Sequence, residues 1–151
     1  MIHNSNDHSG NGSNVAYAYN QSSLSVARTD GTGFSLNSFD AGETLLSPTT
    51  AWADQVKLTG YDALGAVVIQ ALFTLDHIAS PISGLQTFTT SGFTNLARIE
   101  FAGVCLSGSC NNREFSIDNL ALIPSPVPEP VTLALLITGI TFWQVRKRQF
   151  K

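Results

Sequence analysis

The chain has 151 residues and a mass of 16.1 kDa, which is enough for one domain of ordinary size and excludes a multidomain enzyme. Charged residues make up 13% of the sequence, about half the usual fraction of roughly 25%, so few solvated helical faces are expected. Residues 1–145 hold four basic residues and all eleven acidic ones, a net charge of −7. A phosphate backbone would repel such a body, so nucleic acid is not an expected partner.

The first fourteen residues are rich in Asn, Ser and Gly and contain His3 and His8. They are predicted to form a flexible N-terminal segment. From residue 15 to residue 123, short apolar or alternating runs are separated by turn residues, which is typical of antiparallel β-proteins. The sequence therefore predicts one all-β domain, a β-sandwich over 15–123. The predicted strands are 15–19, 23–28, 34–39, 55–61, 66–76, 86–93, 96–102 and 114–123.

Two of these strands carry further information. The segment 60–65 has a glycine at each end and is predicted to be a hairpin loop. The strand that follows it, 66–76, is apolar on both of its faces and is therefore predicted to be central in its sheet. In the last strand the apolar parity switches between Ile117 and Leu120, which predicts a β-bulge at Asp118 and Asn119.

The C-terminus has three parts. Prolines alternate through 124–130 and exclude both helix and strand, so this segment is predicted to be an extended linker. The uncharged stretch 131–145 would form a helix roughly 22 Å long, which makes it a short transmembrane helix for a hydrocarbon core of roughly 30 Å. The basic residues in 146–151 then form a cytoplasmic tail. From composition alone, an ordinary tail anchor or a disordered end is the alternative.

The order of these parts closely resembles the PEP-CTERM sorting signal of Gram-negative bacteria. That resemblance implies recognition by an exosortase, a membrane transpeptidase-like cysteine enzyme, and a place in the cell envelope or exopolysaccharide matrix. The residues matching the sorting motif are Val127, Pro128, Glu129 and Pro130, and those matching the membrane-orienting basic end are Arg146, Lys147, Arg148 and Lys151.

The basic end also predicts where the protein goes. Basic residues after the span keep the C-terminus in the cytoplasm, so residues 1–130 are expected outside the inner membrane. The protein would be anchored there before processing and would then reach the cell surface or the matrix. Residues 1–14 have neither a basic n-region nor an apolar h-region. We therefore expect a signal peptide and at least one more strand to precede Met1.

The body also resembles known domains. The phrase Phe-Ser-Ile-Asp-Asn-Leu at 115–120, with the runs 9–20, 33–43 and 51–68, is similar to jelly-roll domains of PEP-CTERM proteins and of carbohydrate-binding modules. This resemblance implies a jelly-roll-like β-sandwich. In carbohydrate-binding jelly rolls an Asp of the closing strand often holds a structural calcium ion, which makes Asp118 a candidate ligand. The alternative is a structural Asp118 whose carboxylate is hydrogen-bonded within its apolar strand.

Cys105 and Cys110 are separated by four residues. In an exported protein a disulfide closing this loop is expected, and the loop-entropy model gives it roughly 2 kcal/mol. A zinc site is the alternative, but it needs two further ligands and no histidine lies nearby.

No catalytic pattern is present: the sequence has no nucleophile elbow, no His-Glu-x-x-His and no phosphate-binding glycine loop. His77 beside Asp76 indicates a surface turn. The expected function is therefore non-enzymatic, structural or adhesive, without a cofactor beyond the candidate calcium. The alternative is a carbohydrate-binding module, which needs exposed aromatic rings. Trp52, Tyr61 and Phe93 are available, but aromatic residues, at 9% of the sequence, are expected mostly in the core.

Overall fold

The computed structural model describes residues 2–4, 14–44, 49–80, 84–106 and 110–126, the first three as backbone only. These residues form nine strands and one short 3₁₀ turn at Thr49–Ala51. The strands are β1 (Ile2–Asn4), β2 (Asn14–Ala18), β3 (Ser23–Ala27), β4 (Phe34–Gly42), β5 (Gln55–Tyr61), β6 (Val67–Thr74), β7 (Leu85–Thr89), β8 (Arg98–Val104) and β9 (Phe115–Pro124).

The strands form two antiparallel sheets packed face to face as a β-sandwich. One sheet has the order β1-β2-β9-β4-β7 and the other has the order β3-β8-β5-β6. From β2 onwards, early strands pair with late ones: β2 with β9, β3 with β8, β4 with β7 and β5 with β6. The segment from β2 to β9 is therefore one long antiparallel hairpin whose paired strands are distributed over the two sheets.

The tip of this hairpin is the loop 62–66. The Asp62 Oδ1 atom accepts the backbone N–H groups of Leu64 (2.9 Å) and Ala66 (2.8 Å), which fixes the turn. Gly65 has a φ of 82°, a conformation that glycine adopts without steric cost. The hairpin loop predicted at 60–65 is confirmed.

The core lies between the sheets and is built from alternate residues of each strand. Its centre is an aromatic cluster around Phe39 of β4. The Phe39 ring lies 5.0 Å from Phe73, 5.5 Å from Phe88 and 5.1 Å from Phe101, measured between ring centroids. Since Phe73 and Phe101 belong to the opposite sheet, these edge-to-face contacts join the two layers.

The β-bulge predicted in the last strand is confirmed. The register between β4 and β9 shifts between the pairs Ser38–Ala121 and Asp40–Asp118. Asn119 has a left-handed φ of 49°, and Leu120 packs against the core although Ile117, of opposite parity, is buried. The extra residue therefore returns the apolar side chains of β9 to the interior.

Two sheet edges differ from the sequence predictions. We predicted that 66–76 is a central strand, but β6 is the edge strand of its sheet, and Val68 and Leu72 on its outer face are 54% and 55% exposed. The apolar residues on both faces of β6 therefore do not mean that both faces are buried. We also predicted that 1–14 is a flexible segment, but Ile2–Asn4 form a strand paired with β2.

The predicted transmembrane helix 131–145, the basic tail 146–151 and residues 127–130 of the linker lie outside the described residues. Within the described residues, no helix combines the length and the apolar character that crossing a bilayer requires.

Candidate functional site

Four loops meet at one end of the sandwich, which we call the polar end. They are the connections β2–β3, β4–β5, β6–β7 and β8–β9. Backbone hydrogen bonds join them: Gln21 N–H donates to the Asn112 carbonyl at 2.6 Å, and Asn111 N–H donates to the Thr50 carbonyl at 2.8 Å. Two fully buried glutamates, Glu43 and Glu114, lie in these loops.

Glu114, directly before β9, is held by several donors. Its Oε2 atom accepts the Tyr17 hydroxyl at 2.5 Å, and its Oε1 atom accepts the Asn112 side-chain amide at 3.1 Å and the Asn20 backbone N–H at 3.4 Å. The Glu114 backbone also bonds to Ala51 and Ala53. Both carboxylate oxygens therefore have partners, and the side chain and backbone of Glu114 together join three of the four loops.

Glu43, directly after β4, is held at one oxygen only. Its Oε1 atom accepts the backbone N–H of His77 at 2.6 Å, whereas Oε2 is buried without a hydrogen-bond partner among the described residues. Burial raises the pKa of the Glu43 carboxyl above its ordinary value, and the nearby charge of Asp76 acts in the same direction. The protonated form is thus favoured, because a neutral carboxyl loses less on desolvation.

Asp54 links the Glu43 surroundings to the disulfide loop. Its Oδ1 atom lies 3.3 Å from Nε2 of His77, and its Oδ2 atom accepts the Leu106 backbone N–H at 2.7 Å. Leu106 follows Cys105, which forms the predicted disulfide with Cys110 across a Cα–Cα distance of 5.7 Å. The disulfide prediction is confirmed, and the bridge lies in the β8–β9 connection, which also contains Glu114.

These hydrogen bonds hold the loops of the polar end together through the carboxylates of Glu43, Asp54 and Glu114. A carboxylate that acts as a general acid or base must instead lie within reach of a substrate. Within the described ranges, no group of three His, Cys, Asp or Glu side chains is placed to hold a metal ion. Sequence reasoning missed Glu43 and Glu114, because a single acid beside a turn has the same local pattern whether exposed or buried.

Asp118 lies on the sandwich wall, directly opposite Asp40 of β4, and is half-buried. Its Oδ1 atom accepts the backbone N–H of Asn119 at 2.8 Å. Asp40 accepts the Asn119 side-chain amide at 2.7 Å and the Thr87 hydroxyl at 2.6 Å. Asp118 is therefore hydrogen-bonded, which agrees with the interpretation that it is a structural residue of its strand. Calcium binding at Asp118 stays a prediction.

The three aromatic rings proposed for sugar binding are not open to solvent. Trp52 is 8% exposed and Phe93 is 2% exposed. The Tyr61 ring is half-buried and covered by the Arg98 guanidinium, whose Cζ atom lies 3.6 Å from the ring centroid. Trp52 and Phe93 are core rings, as expected for most aromatic residues of this sequence, and they offer no exposed stacking platform.

A cleft of about 290 Å³ lies at the opposite end of the sandwich, where the hairpin tip approaches the loops before β4 and β8. It is lined by Gly31, Gly33, Asp62, Ala63, Leu64, Asn95 and Ala97. Small and polar side chains dominate this lining and no aromatic ring contributes, so the cleft also lacks a stacking surface for a sugar.

The sorting residues Val127, Pro128, Glu129 and Pro130, and the basic residues Arg146, Lys147, Arg148 and Lys151, lie outside the described residues. Of the predicted site residues, the structure therefore describes the two cysteines and Asp118, which belong to the sandwich, and it describes none of the sorting residues. In comparisons with known proteins, no family model, no curated protein and no solved structure matches this chain.

Proposed function

We propose that this protein is an exported, non-enzymatic component of the cell envelope or exopolysaccharide matrix of a Gram-negative bacterium, sorted and processed by an exosortase. The observation that carries the proposal is the order of parts in 124–151: a Pro-rich linker with Val-Pro-Glu-Pro, an uncharged stretch of helical length and a basic end. The sandwich supplies the structural or adhesive body, and the C-terminal signal supplies its delivery.

The position of the signal relative to the sandwich supports this division. The closing strand β9 ends at Pro124, and the backbone N–H of Ser125 donates to the Gly33 carbonyl at 2.9 Å. Val127 comes only two residues later. The motif thus starts directly after the sandwich in sequence, and its alternating prolines favour an extended segment of the kind that a membrane enzyme can bind as a strand-like ligand.

The topology supports a jelly roll as the finer description of the body. A jelly roll is an eight-stranded double sheet made of two Greek keys. Strands β2 to β9 pair first with last, second with second last, and so on inward, and this produces the sheet orders β2-β9-β4-β7 and β3-β8-β5-β6. A domain of this kind displays loops at both ends and needs no catalytic residue to serve as a surface or matrix component.

The disulfide supports the proposed location outside the inner membrane. Disulfides persist in the bacterial periplasm and outside the cell and are rare in the cytosol. The Cys105–Cys110 bridge therefore agrees with a body held outside the inner membrane, first anchored through 131–145 and then released to the surface or matrix.

The test is processing in a host that carries the cognate exosortase. Glu129→Ala combined with Pro130→Ala should leave the sandwich folded while full-length, membrane-retained protein accumulates. Pro126→Ala is the matched control, since it truncates a linker proline outside the motif and should be processed like the wild type. Release of the double variant at the wild-type rate would show that Val-Pro-Glu-Pro is an ordinary linker.

The basic end gives a second arm of the same experiment. Deleting 146–151 removes the charges that orient the span and should reduce correct orientation or retention, whereas the motif itself is unchanged. Protease accessibility of the body in intact spheroplasts measures orientation directly. If the deletion left orientation and processing unchanged, the basic end would have no role in sorting.

A further inference from the structure

The sheet edges of the described chain are not alike. β1, β3 and β7 are short, with three, five and five residues, whereas the edge strand β6 has eight. β6 contains no charged residue, no proline and no glycine, and the uncharged stretch around it extends from Ala63 to Leu75. Natural edge strands are usually protected from pairing by shortness, charge, proline or bulges. β6 has only a register irregularity at its start, beside Tyr61.

Exposed apolar side chains concentrate at this strand. Of the nine large hydrophobic side chains that are exposed among the described residues, five lie between 64 and 78. They are Leu64, Val67, Val68, Leu72 and Ile78. The outer face of β6 therefore combines a free backbone edge with an apolar surface, and these two features together favour strand addition.

The order of residues in β6 indicates what would pair with it. With a two-fold axis through Gln70, antiparallel pairing of two copies sets Val68 of each copy opposite Leu72 of the other and Gln70 opposite Gln70. Apolar residues thus meet apolar residues on the outer face, and no charge meets a like charge along the strand. Beyond the strand, Leu64 and Ile78 add apolar surface near the two ends of β6, and these side chains are 94% and 60% exposed.

We propose that β6 is a self-association surface at which two copies of this chain join edge to edge. The two four-stranded sheets then become one eight-stranded sheet around a two-fold axis, an isologous contact in which each copy offers the same residues. The occupant is a second copy because the strand is self-complementary about Gln70. Elsewhere the body is acidic, with nine acidic and four basic residues among those described, so a second copy is repelled except along this uncharged edge.

The first test is site-specific cross-linking of the full chain in a mild detergent. Gln70→Cys places two thiols opposite each other at the proposed axis, where paired Cα atoms would lie about 4.5–5.5 Å apart, within the range of a disulfide. Mild oxidation should then produce a covalent dimer. Ser25→Cys is the matched control, because Ser25 is also exposed at mid-strand on an edge of the same sheet, and it should produce none.

The second test is charge insertion. Leu72→Lys places an ammonium group at the centre of the pairing surface and should weaken the dimer by about tenfold or more in light scattering at graded protein concentrations. Ser25→Lys is the control and should associate like the wild type. Leu72 is 55% exposed, so the melting temperature should change little.

Two outcomes would overturn the proposal. One is a wild-type chain that stays monomeric at every concentration at which it remains in solution. The other is association that Leu72→Lys leaves unchanged, since such association would arise elsewhere, for example through the apolar stretch 131–145. Failure of exosortase processing would not bear on either result.

Discussion

The polar end of the sandwich contains two buried glutamates in different surroundings. In the Glu114 region, which comprises Tyr17, Asn20, Asn112 and Glu114, both carboxylate oxygens accept hydrogen bonds. In the Glu43 region, which comprises Glu43, Asp54 and His77, one carboxylate oxygen accepts a bond and the other has no partner among the described residues. A fold can therefore retain a buried carboxyl either by surrounding it with donors or by favouring its protonated form.

The largest effect is expected in the Glu114 region. Glu114→Ala should lower the free energy of unfolding by roughly 3 kcal/mol or more, because the buried Tyr17 hydroxyl and two part-buried donors lose their acceptor and a cavity forms. Tyr17→Phe, which removes a single donor, should cost about 2 kcal/mol or less. Denaturant titration measures both. If the two variants were equally stable, the bonds from Asn20 and Asn112 would contribute nothing.

The next effect is expected for the disulfide, which lies in the same connection as Glu114 and whose neighbour Leu106 is bonded to Asp54 of the Glu43 region. Cys105→Ser combined with Cys110→Ser should cost about 2 kcal/mol, because opening the loop returns entropy to the unfolded chain. Reductant should destabilise the wild type by a similar amount and leave the double variant unchanged. A wild type insensitive to reductant would argue against a stabilising bridge.

In the Glu43 region the expected effect depends on pH. The native pKa of Glu43 is raised, so the native state binds a proton more tightly than the unfolded state does, and stability falls as pH rises from the ordinary glutamate value to the raised one. Glu43→Gln keeps an acceptor for His77 and should remove this fall, which leaves the variant more stable than the wild type at neutral pH. Unfolding free energies at several pH values measure the slope.

Glu100 provides a matched control, because its pKa is shifted in the opposite direction to that of Glu43. The Arg98 guanidinium, which lies 2.8 Å from Glu100, lowers the pKa of that carboxyl. The resulting stability is present above the ordinary glutamate pKa and is lost as pH falls through the lowered value. Glu100→Gln should therefore remove a slope that rises with pH. If both variants changed the slope in the same direction, the assignment of Glu43 would be wrong.

The smallest effect is expected for the imidazole of His77. Glu43 accepts the backbone N–H of His77, so the side chain itself contributes only its contact with Asp54, and 48% of the side chain is exposed. His77 has a left-handed φ of 60°, which asparagine tolerates well. His77→Asn should thus cost less than about 1 kcal/mol in denaturant titration. A larger loss would mean that the ion pair with Asp54 holds the loop.

Most of the strands could be predicted because alternation is a local property. The eight predicted runs each contain or overlap one of β2 to β9, and the bulge at Asp118 and Asn119 follows from a change of parity within ten residues. The disulfide was also predictable, because Cys105 and Cys110 are five positions apart and no other cysteine competes.

What could not be predicted depends on contacts between distant segments. Glu43 is buried by a loop 34 residues away, and Glu114 is bonded to a tyrosine 97 residues away, so no local pattern separates either from an exposed acid. The prediction that β6 is a central strand was wrong for a related reason. The apolar pattern of a strand is a property of that strand alone, whereas the number of neighbouring strands is a property of the whole sheet. The burial of Trp52 and Phe93 agrees with the expectation that most aromatic residues lie in the core, but which rings lie there depends on the whole sheet packing.

Pairing the first half of the hairpin with the second has a consequence for how the protein folds. Ala16 is opposite Ile117, so the sheet that holds both cannot be completed until nearly the whole body is available. Contacts so far apart in sequence make folding slow, because a long loop must close before they form. During synthesis β2 and β3 therefore wait for their partners β9 and β8, whereas β5 and β6 can pair at once as neighbours. A factor that shields these strands before β9 arrives should therefore raise the yield of folded protein.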